Sequence, residues 1–349
     1  MFAEQGLAEH SVVQLMEPLQ EISSADRSHL ACIRETLAFG PVPSRRLGTS
    51  LGVNVVPLKI CSYSCIYCQL GRTLSPTVVP RCYFTPENIA KAVSDILDGA
   101  GKRPDYITLI GHGEPTLAEN LGRIRSSIEQ IWDGRIALLT NGSLLWKKDV
   151  CEAALAFDAV MPTISAGDET LFRMIHRPHP SLSFEKVIGG MTEFADSFDG
   201  ELFVETMLLG GINDSDETLE RIRVAIEPLN PDCVHLMAPT RPPAESWIEC
   251  PSRIRISAAM RIIPNSSDMT EPESSGMPSY SDEEIGHLIG IASMHPLRDD
   301  QAVALLASKG LSESEARNIL EVLVASSRLD RKEYAGKMFY RASRSEGNG

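Results

Sequence analysis

Cys61, Cys65 and Cys68 fall within eight residues, in the order Cys-x3-Cys-x2-Cys, while the other five cysteines of the chain (Cys32, Cys82, Cys151, Cys233 and Cys250) are scattered. In a reducing compartment a tight group of thiols points to metal rather than to disulfides. An iron–sulfur cubane is ordinarily held by four thiolates. Three leave one iron without a protein ligand, and a small molecule can bind iron there. Zinc is the competing reading, but it wants a fourth ligand, ordinarily Cys or His from a second pair. Cys82 is available, yet no second CxxC or HxxxH follows. Tyr67, just before Cys68, is either a packing residue or an aromatic cover for a bound nucleotide.

The elements that must position these thiols read as six strand-then-helix units. The strands are short apolar runs at Leu51–Pro57, Tyr106–Ile110, Arg135–Thr140, Ala159–Ser165, Leu202–Leu208 and Cys233–Met237. The segments between them carry helical periodicity: from Pro86 with Thr85 as cap, then Asn120–Ile131, Lys147–Phe157, Glu169–Ile175 with Phe184–Phe198, and Ser215–Ile226, capped by Asp214 or Ser215. Repeated βα units predict a parallel sheet with helices outside it. Six are too few for a closed eight-stranded barrel, so the expected fold class is α/β, a partial (βα)6 barrel. Chemistry in such barrels lies at the C-terminal ends of the strands.

Residues 39–262 are the expected core domain, preceded by an extension over 1–38 that is helical around Val12–Ile22 and Arg27–Ala38. A flexible linker spans 263–281, its Ser-, Pro-, Met- and Glu-rich part at Asn265–Ser281. Helices at Asp282–Ser293, Asp300–Ser308 and Ser312–Ser326 and a hairpin at Leu329–Arg341 predict a winged-helix-like domain over 282–344, before a tail at 345–349. The composition is that of a globular protein: 349 residues, 43% hydrophobic and 23% charged. A formal net charge of −14 argues against sequence-blind attraction to nucleic acid. No apolar run is long enough to span a membrane, and Met1–Glu9 lacks a signal pattern, so the expected location is the cytoplasm.

The text around the cysteines is more specific. Phe39-Gly40-Pro41-Val42-Pro43-Ser44-Arg45-Arg46-Leu47-Gly48, then Leu51-Gly52-Val53-Asn54, then Cys61-Ser62-Tyr63-Ser64-Cys65-Ile66-Tyr67-Cys68-Gln69 resembles the radical S-adenosylmethionine (SAM) superfamily. Within it, the chain is similar to a subgroup called wyosine-synthase-like proteins or Fe–S oxidoreductases. The similarity runs from about Phe39 to about Trp247. It implies a [4Fe–4S] cluster on Cys61, Cys65 and Cys68, with SAM chelating the open iron through its amino and carboxylate groups. An electron from the cluster would cleave SAM to a 5′-deoxyadenosyl radical that abstracts hydrogen from a substrate. Such chemistry belongs to the cofactor, and the protein supplies placement.

Polar groups follow the later strands. Gly111-His112-Gly113-Glu114 resembles the family's GGE motif, with His112 in place of its first glycine. The resemblance assigns Gly113 and Glu114 to SAM, the carboxylate to its amino group. Thr140-Asn141-Gly142 resembles a TNG segment bordering SAM, and also suits a plain turn. Ser165 stands where the family contacts the SAM ribose or carboxylate, while Asp168 reads as a helix cap. Met207 or Leu208 is either core or an adenine contact. His176, in place of the subgroup's Asn, has no assigned role. Arg45, Arg46 and Arg241 are substrate candidates, since guanidinium groups suit phosphate or carboxylate, although a surface salt bridge explains each one singly.

The expected function is thus a radical SAM enzyme fed by an electron donor such as flavodoxin or ferredoxin, acting on RNA, a peptide or a cofactor precursor. Wyosine synthases carry a second cluster on additional N-terminal cysteines, whereas only Cys32 lies upstream here. The alternative is an iron–sulfur redox sensor or nucleic-acid-binding regulator that reads with its C-terminal domain. Against it, the stretch Ser312–Ser326 carries Glu313, Glu315 and Glu321 beside a single Arg317, too acidic for a helix facing phosphates.

Overall fold

The computed structural model describes residues 37–99, 103–270, 284–307, 312–325 and 327–343. Eight strands form one sheet in chain order: β1 (Ala38–Ser44), β2 (Gly48–Asn54), β3 (Tyr106–Ile110), β4 (Arg135–Thr140), β5 (Ala159–Pro162), β6 (Glu201–Met207), β7 (Cys233–Met237) and β8 (Ser266–Asp268). β1 runs antiparallel to β2, and all later neighbours are parallel. Among the described strands none joins β8 back to β1, so the barrel is partial and open, as expected.

The strands alternate by the period of two. One face of β3, through Ile107 and Leu109, is fully buried with Ile89 and Ile124 of the outer helices. The other face, through Tyr106, packs inside the barrel with Leu47, Ala137, Ala159 and Met161. The outer helices are α1 (Pro86–Gly99), α2 (Leu121–Glu129), α3 (Lys148–Ala154), α4 (Glu169–His176), α5 (Phe184–Ala195), α6 (Asp216–Ile226) and α7 (Arg253–Ile262). Side-chain oxygens cap several N-termini, where backbone N–H groups lack intrahelical partners. Asp168 caps α4 through Leu171 N at 2.9 Å, Ser215 caps α6, and Thr85 accepts from Asn88 N at 3.3 Å beside α1.

Several expectations change. The first predicted strand shifts from Leu51–Pro57 to Gly48–Asn54, and the fourth ends at Pro162. Ala38, expected to end a helix, opens β1; the rest of the expected N-terminal helices, apart from Leu37, lie outside the described residues. The stretch read as linker begins inside the sheet, where Ser266–Asp268 pairs with β7. Its Ser-Ser-Asp sequence lacks the apolar run that signals a strand. Helix α7, between β7 and β8, was also unforeseen.

The C-terminal unit comprises α8 (Glu284–Met294), β9 (Leu297–Arg298), α9 (Asp299–Ala307), α10 (Glu313–Ala325), β10 (Leu329–Tyr334) and β11 (Lys337–Ala342). Its strands are antiparallel in the order β10-β11-β9, and Leu288, Ile291, Leu305 and Leu320 form its own core. The turn between β10 and β11, Ala335-Gly336, has positive φ at both residues, the form that matches the twist of paired strands. The unit rests on the barrel. Phe39 and His295 meet edge-on at 5.8 Å, Asn54 Nδ2 donates to Met294 Sδ at 2.9 Å, and Arg241 Nε donates to the Pro296 carbonyl at 3.2 Å.

Candidate active site

The cysteine loop follows β2 and runs to α1. Backbone hydrogen bonds hold it from three directions. Lys59 N donates to His112 O at 2.7 Å and Glu114 N to Ile60 O at 2.8 Å, which seats the loop on the end of β3. Ser64 N donates to His176 O and Ile66 N to Ile175 O, both at 2.9 Å, which fastens it to the end of α4. Glu245 N donates to Ile66 O at 3.0 Å from the loop after β7. Gly113 makes the first of these seats possible: a Cβ there would stand 1.7 Å from the Ile60 carbonyl oxygen.

The three thiols are free and half-buried. Lys59 Nζ donates to Cys68 Sγ at 3.3 Å, Tyr63 N to Cys61 Sγ at 3.5 Å and Asn141 Nδ2 to Cys61 Sγ at 3.8 Å. His176 Nδ1 lies 3.4 Å from Cys65 Sγ. The Tyr67 hydroxyl is raised well above its usual value, by burial first and then by the neighbouring Cys65. Burial first, and then the Glu114 carboxylate, push the Cys61 thiol up to about 12. Burial and the neighbouring Cys61 and Cys68 raise Cys65 well above its usual value. Without a cation these groups stay protonated; a bound metal centre stabilises the thiolates and displaces the protons. Among the described residues no three His, Cys, Asp or Glu side chains converge on a single-ion position. A cubane makes no such demand, because each thiolate binds a different corner. The donor set therefore fits a cluster held by three cysteines.

Glu114 is almost wholly buried. Oε1 accepts from Thr116 N at 3.0 Å, Thr116 Oγ1 at 2.6 Å and Thr140 Oγ1 at 2.5 Å, and Oε2 accepts from Asn141 N at 2.7 Å. Burial raises its pKa, and these hydrogen bonds oppose the rise. Asn141 continues the network: Nδ2 donates to Ser62 Oγ at 2.9 Å, and Oδ1 accepts from Ser143 N at 2.9 Å. Ser165 is fully buried three residues after β5, where its hydroxyl accepts from Met207 N at 3.0 Å. Tyr67, Gly113, Glu114, Thr140, Asn141 and Ser165 thus gather at the strand ends around the cysteine loop.

The arginine candidates stand elsewhere. Arg45 and Arg46 occupy the β1–β2 turn and Arg241 follows β7, and all three line a cavity beside the C-terminal unit. Arg46 pairs with Glu205 of β6.

Sequence reasoning missed several contributors. Lys59 and His176 reach cysteine sulfurs, and His176 is held neutral by burial, its pKa lowered to about 3. His112 is buried with neither ring nitrogen partnered among the described residues, and burial lowers it to about 4. Glu245 receives Arg72 and Arg177 together. No local pattern marks Glu245, since its partners lie 173 and 68 residues away.

The chain is similar to known proteins at the level of family and fold. The family model of the radical SAM superfamily matches residues 55–222. A UPF0026 protein of Methanocaldococcus jannaschii is 37% identical over 311 residues, covering 87% of this chain and 95% of that one. A protein of Brachyspira hyodysenteriae named GTPase Obg is 40% identical over 225 residues, which are 64% of this chain and 32% of that protein. Among solved structures, Streptococcus suis SuiB superposes with a TM-score of 0.49 at 14% identity, over 78% of this chain and 57% of that one.

Proposed function

The chain belongs to the radical SAM superfamily, among the UPF0026 proteins, and on that premise we propose that Cys61, Cys65 and Cys68 hold its [4Fe–4S] cluster. As a radical SAM enzyme it uses that cluster and SAM. When bound, the pair supplies a 5′-deoxyadenosyl radical, which in this reading takes hydrogen from the substrate. The grouping of three half-buried thiols with the Glu114–Thr140–Asn141 network at one set of strand ends carries the proposal.

The chain's own residues have distinct tasks in this reading. Lys59 offers positive charge and a donor to the Cys68 sulfur. Oε2 of Glu114, which accepts one protein donor, has lone-pair capacity for the SAM ammonium. Gly113 brings backbone close, and Thr140 and Asn141 hold the carboxylate in place. Tyr67 and Ser165 cover the inner side. An electron donor such as flavodoxin or ferredoxin delivers the electron in this reading. The unit over 284–343 is read as a winged-helix-like module from its helix and strand order.

The test is anaerobic. Protein reconstituted with iron and sulfide is given SAM and dithionite, and 5′-deoxyadenosine is measured. Product is expected from wild type, and Cys65→Ala should lose both the brown chromophore and the product. A fully loaded protein that forms no nucleoside would refute the reaction, and a Cys65→Ala variant that keeps its cluster would refute the ligand assignment.

A further inference from the structure

A cavity of about 110 Å³ opens between the barrel interior and the C-terminal unit, a small site rather than one for a drug-sized ligand. Its floor is the inward face of β2 and β3, where the buried hydroxyls of Ser50 and Thr108 lie 2.5 Å apart. Its outer wall is the C-terminal unit, through His295, Leu297 and Gln301. Arg45, Arg46 and Arg241 stand around it, and among the described residues lining it none is Asp or Glu. Each guanidinium is anchored: Arg45 to the Met269 carbonyl, Arg46 to Glu205 and Arg241 to the Pro296 carbonyl. An anchored guanidinium is pre-positioned, and its planar fork matches carboxylate and phosphate.

The cavity also adjoins the cysteine loop. Gln69, the residue after Cys68, donates to the Met294 carbonyl at 3.0 Å and lies 3.0 Å from His295 Nδ1. His295 itself lines the cavity. One side chain therefore separates the loop from the space.

We infer that this cavity is the substrate site, and that the substrate is a small molecule joining a carboxylate or phosphate to an apolar body, enclosed by the chain's own C-terminal unit. The inference rests on the radical SAM reading above for the word substrate. A macromolecule would need an open wall where His295, Leu297 and Gln301 stand. Apolar lining from Phe39, Leu139 and Leu297 suits the body, and the arginines suit the anion.

The experiment is calorimetric titration of the full-length, cluster-loaded chain with phenyl phosphate, phenylacetate and neutral benzyl alcohol. At least one of the two anions should bind and the alcohol should not; which anion binds separates phosphate from carboxylate chemistry. Arg241→Gln should weaken that anion by about tenfold, and Arg241→Lys, which keeps the charge but not the fork, by less. Arg45→Gln is a second, independent variant. Binding of neither anion overturns the inference, as does wild-type affinity in both Gln variants. An RNA hairpin that binds through these arginines when the small anions do not also overturns it. The same titration on Cys65→Ala separates the two readings. Anion binding retained there supports the cavity even if the cluster assignment fails, whereas a chain that cleaves SAM but binds no anion sinks the cavity alone.

Discussion

Four donors converge on the Glu114 carboxylate, and they come from the segments that end β3 and β4. A buried carboxylate is stable there because its desolvation is offset by charge-assisted hydrogen bonds. Removing it leaves the Thr116 and Thr140 hydroxyls and two backbone N–H groups buried beside an apolar methyl. Glu114→Ala is therefore expected to cost about 3 kcal/mol, read as a lower urea midpoint in the cluster-free chain. Glu114→Gln keeps the shape and part of the accepting capacity, and should cost less. Wild-type stability in the Ala variant would show that the network does not tie the strand ends together. The residue itself was legible from its place just after a strand, next to Gly113. Its satisfaction by Thr116, Thr140 and Asn141 was not, because hydrogen-bond partners are set by how strands align in space.

The cysteine loop is clasped as an element by a single carboxylate. Arg72, within the loop, bonds both oxygens of Glu245 at 2.8 and 2.7 Å, and Arg177, the left-handed residue ending α4, bonds Oε1 at 2.5 Å. The Arg72 hydrogen bonds, followed by those of Arg177, hold the Glu245 carboxyl at about 2, below its usual 4.5. A depressed carboxyl pKa contributes stability that is present above the unfolded value and is lost as pH falls through the folded one. The clasp should thus hold fully above about pH 4.5 and fail progressively toward pH 2. Wild type and Glu245→Gln should differ in amide-exchange protection of the cysteine loop at pH 6 and converge near pH 2. A difference that stayed constant across that range would contradict the clasp. Among the elements, the strands with clear apolar runs, β3, β4 and β7, match their predicted limits. β8 was missed because a three-residue, half-buried edge strand needs no apolar run, so its polar sequence read as linker.

Phe39 connects three parts of the molecule. It belongs to β1, it lies over Gly52 of β2, where a Cβ would stand 2.2 Å from its ring, and it meets His295 of the C-terminal unit. Phe39→Ala should cost about 3 kcal/mol through lost burial and the space left behind, measured by urea denaturation. The same change should speed amide exchange at the end of α8, next to His295, which the ring meets. Loss of stability without any change in α8 would mean that the C-terminal unit holds to the barrel independently of Phe39. No helix of the described residues is long and apolar enough to cross a membrane.

The sequence alone determined the cysteine spacing, the alternation of apolar strands with periodic helices, and hence a partial α/β barrel with polar groups after its strands. These are local properties: ligand spacing within eight residues, a period of two or of 3.6, and a cap next to its helix. Only the tertiary structure decided which groups meet. It brought Glu245 to Arg72, His176 to Cys65 and Arg46 to Glu205, and it set the C-terminal unit against the barrel to wall a cavity. Those partners are far apart in the chain, and their meeting depends on strand order, register and the packing of one unit on another, which no short stretch of residues encodes by itself.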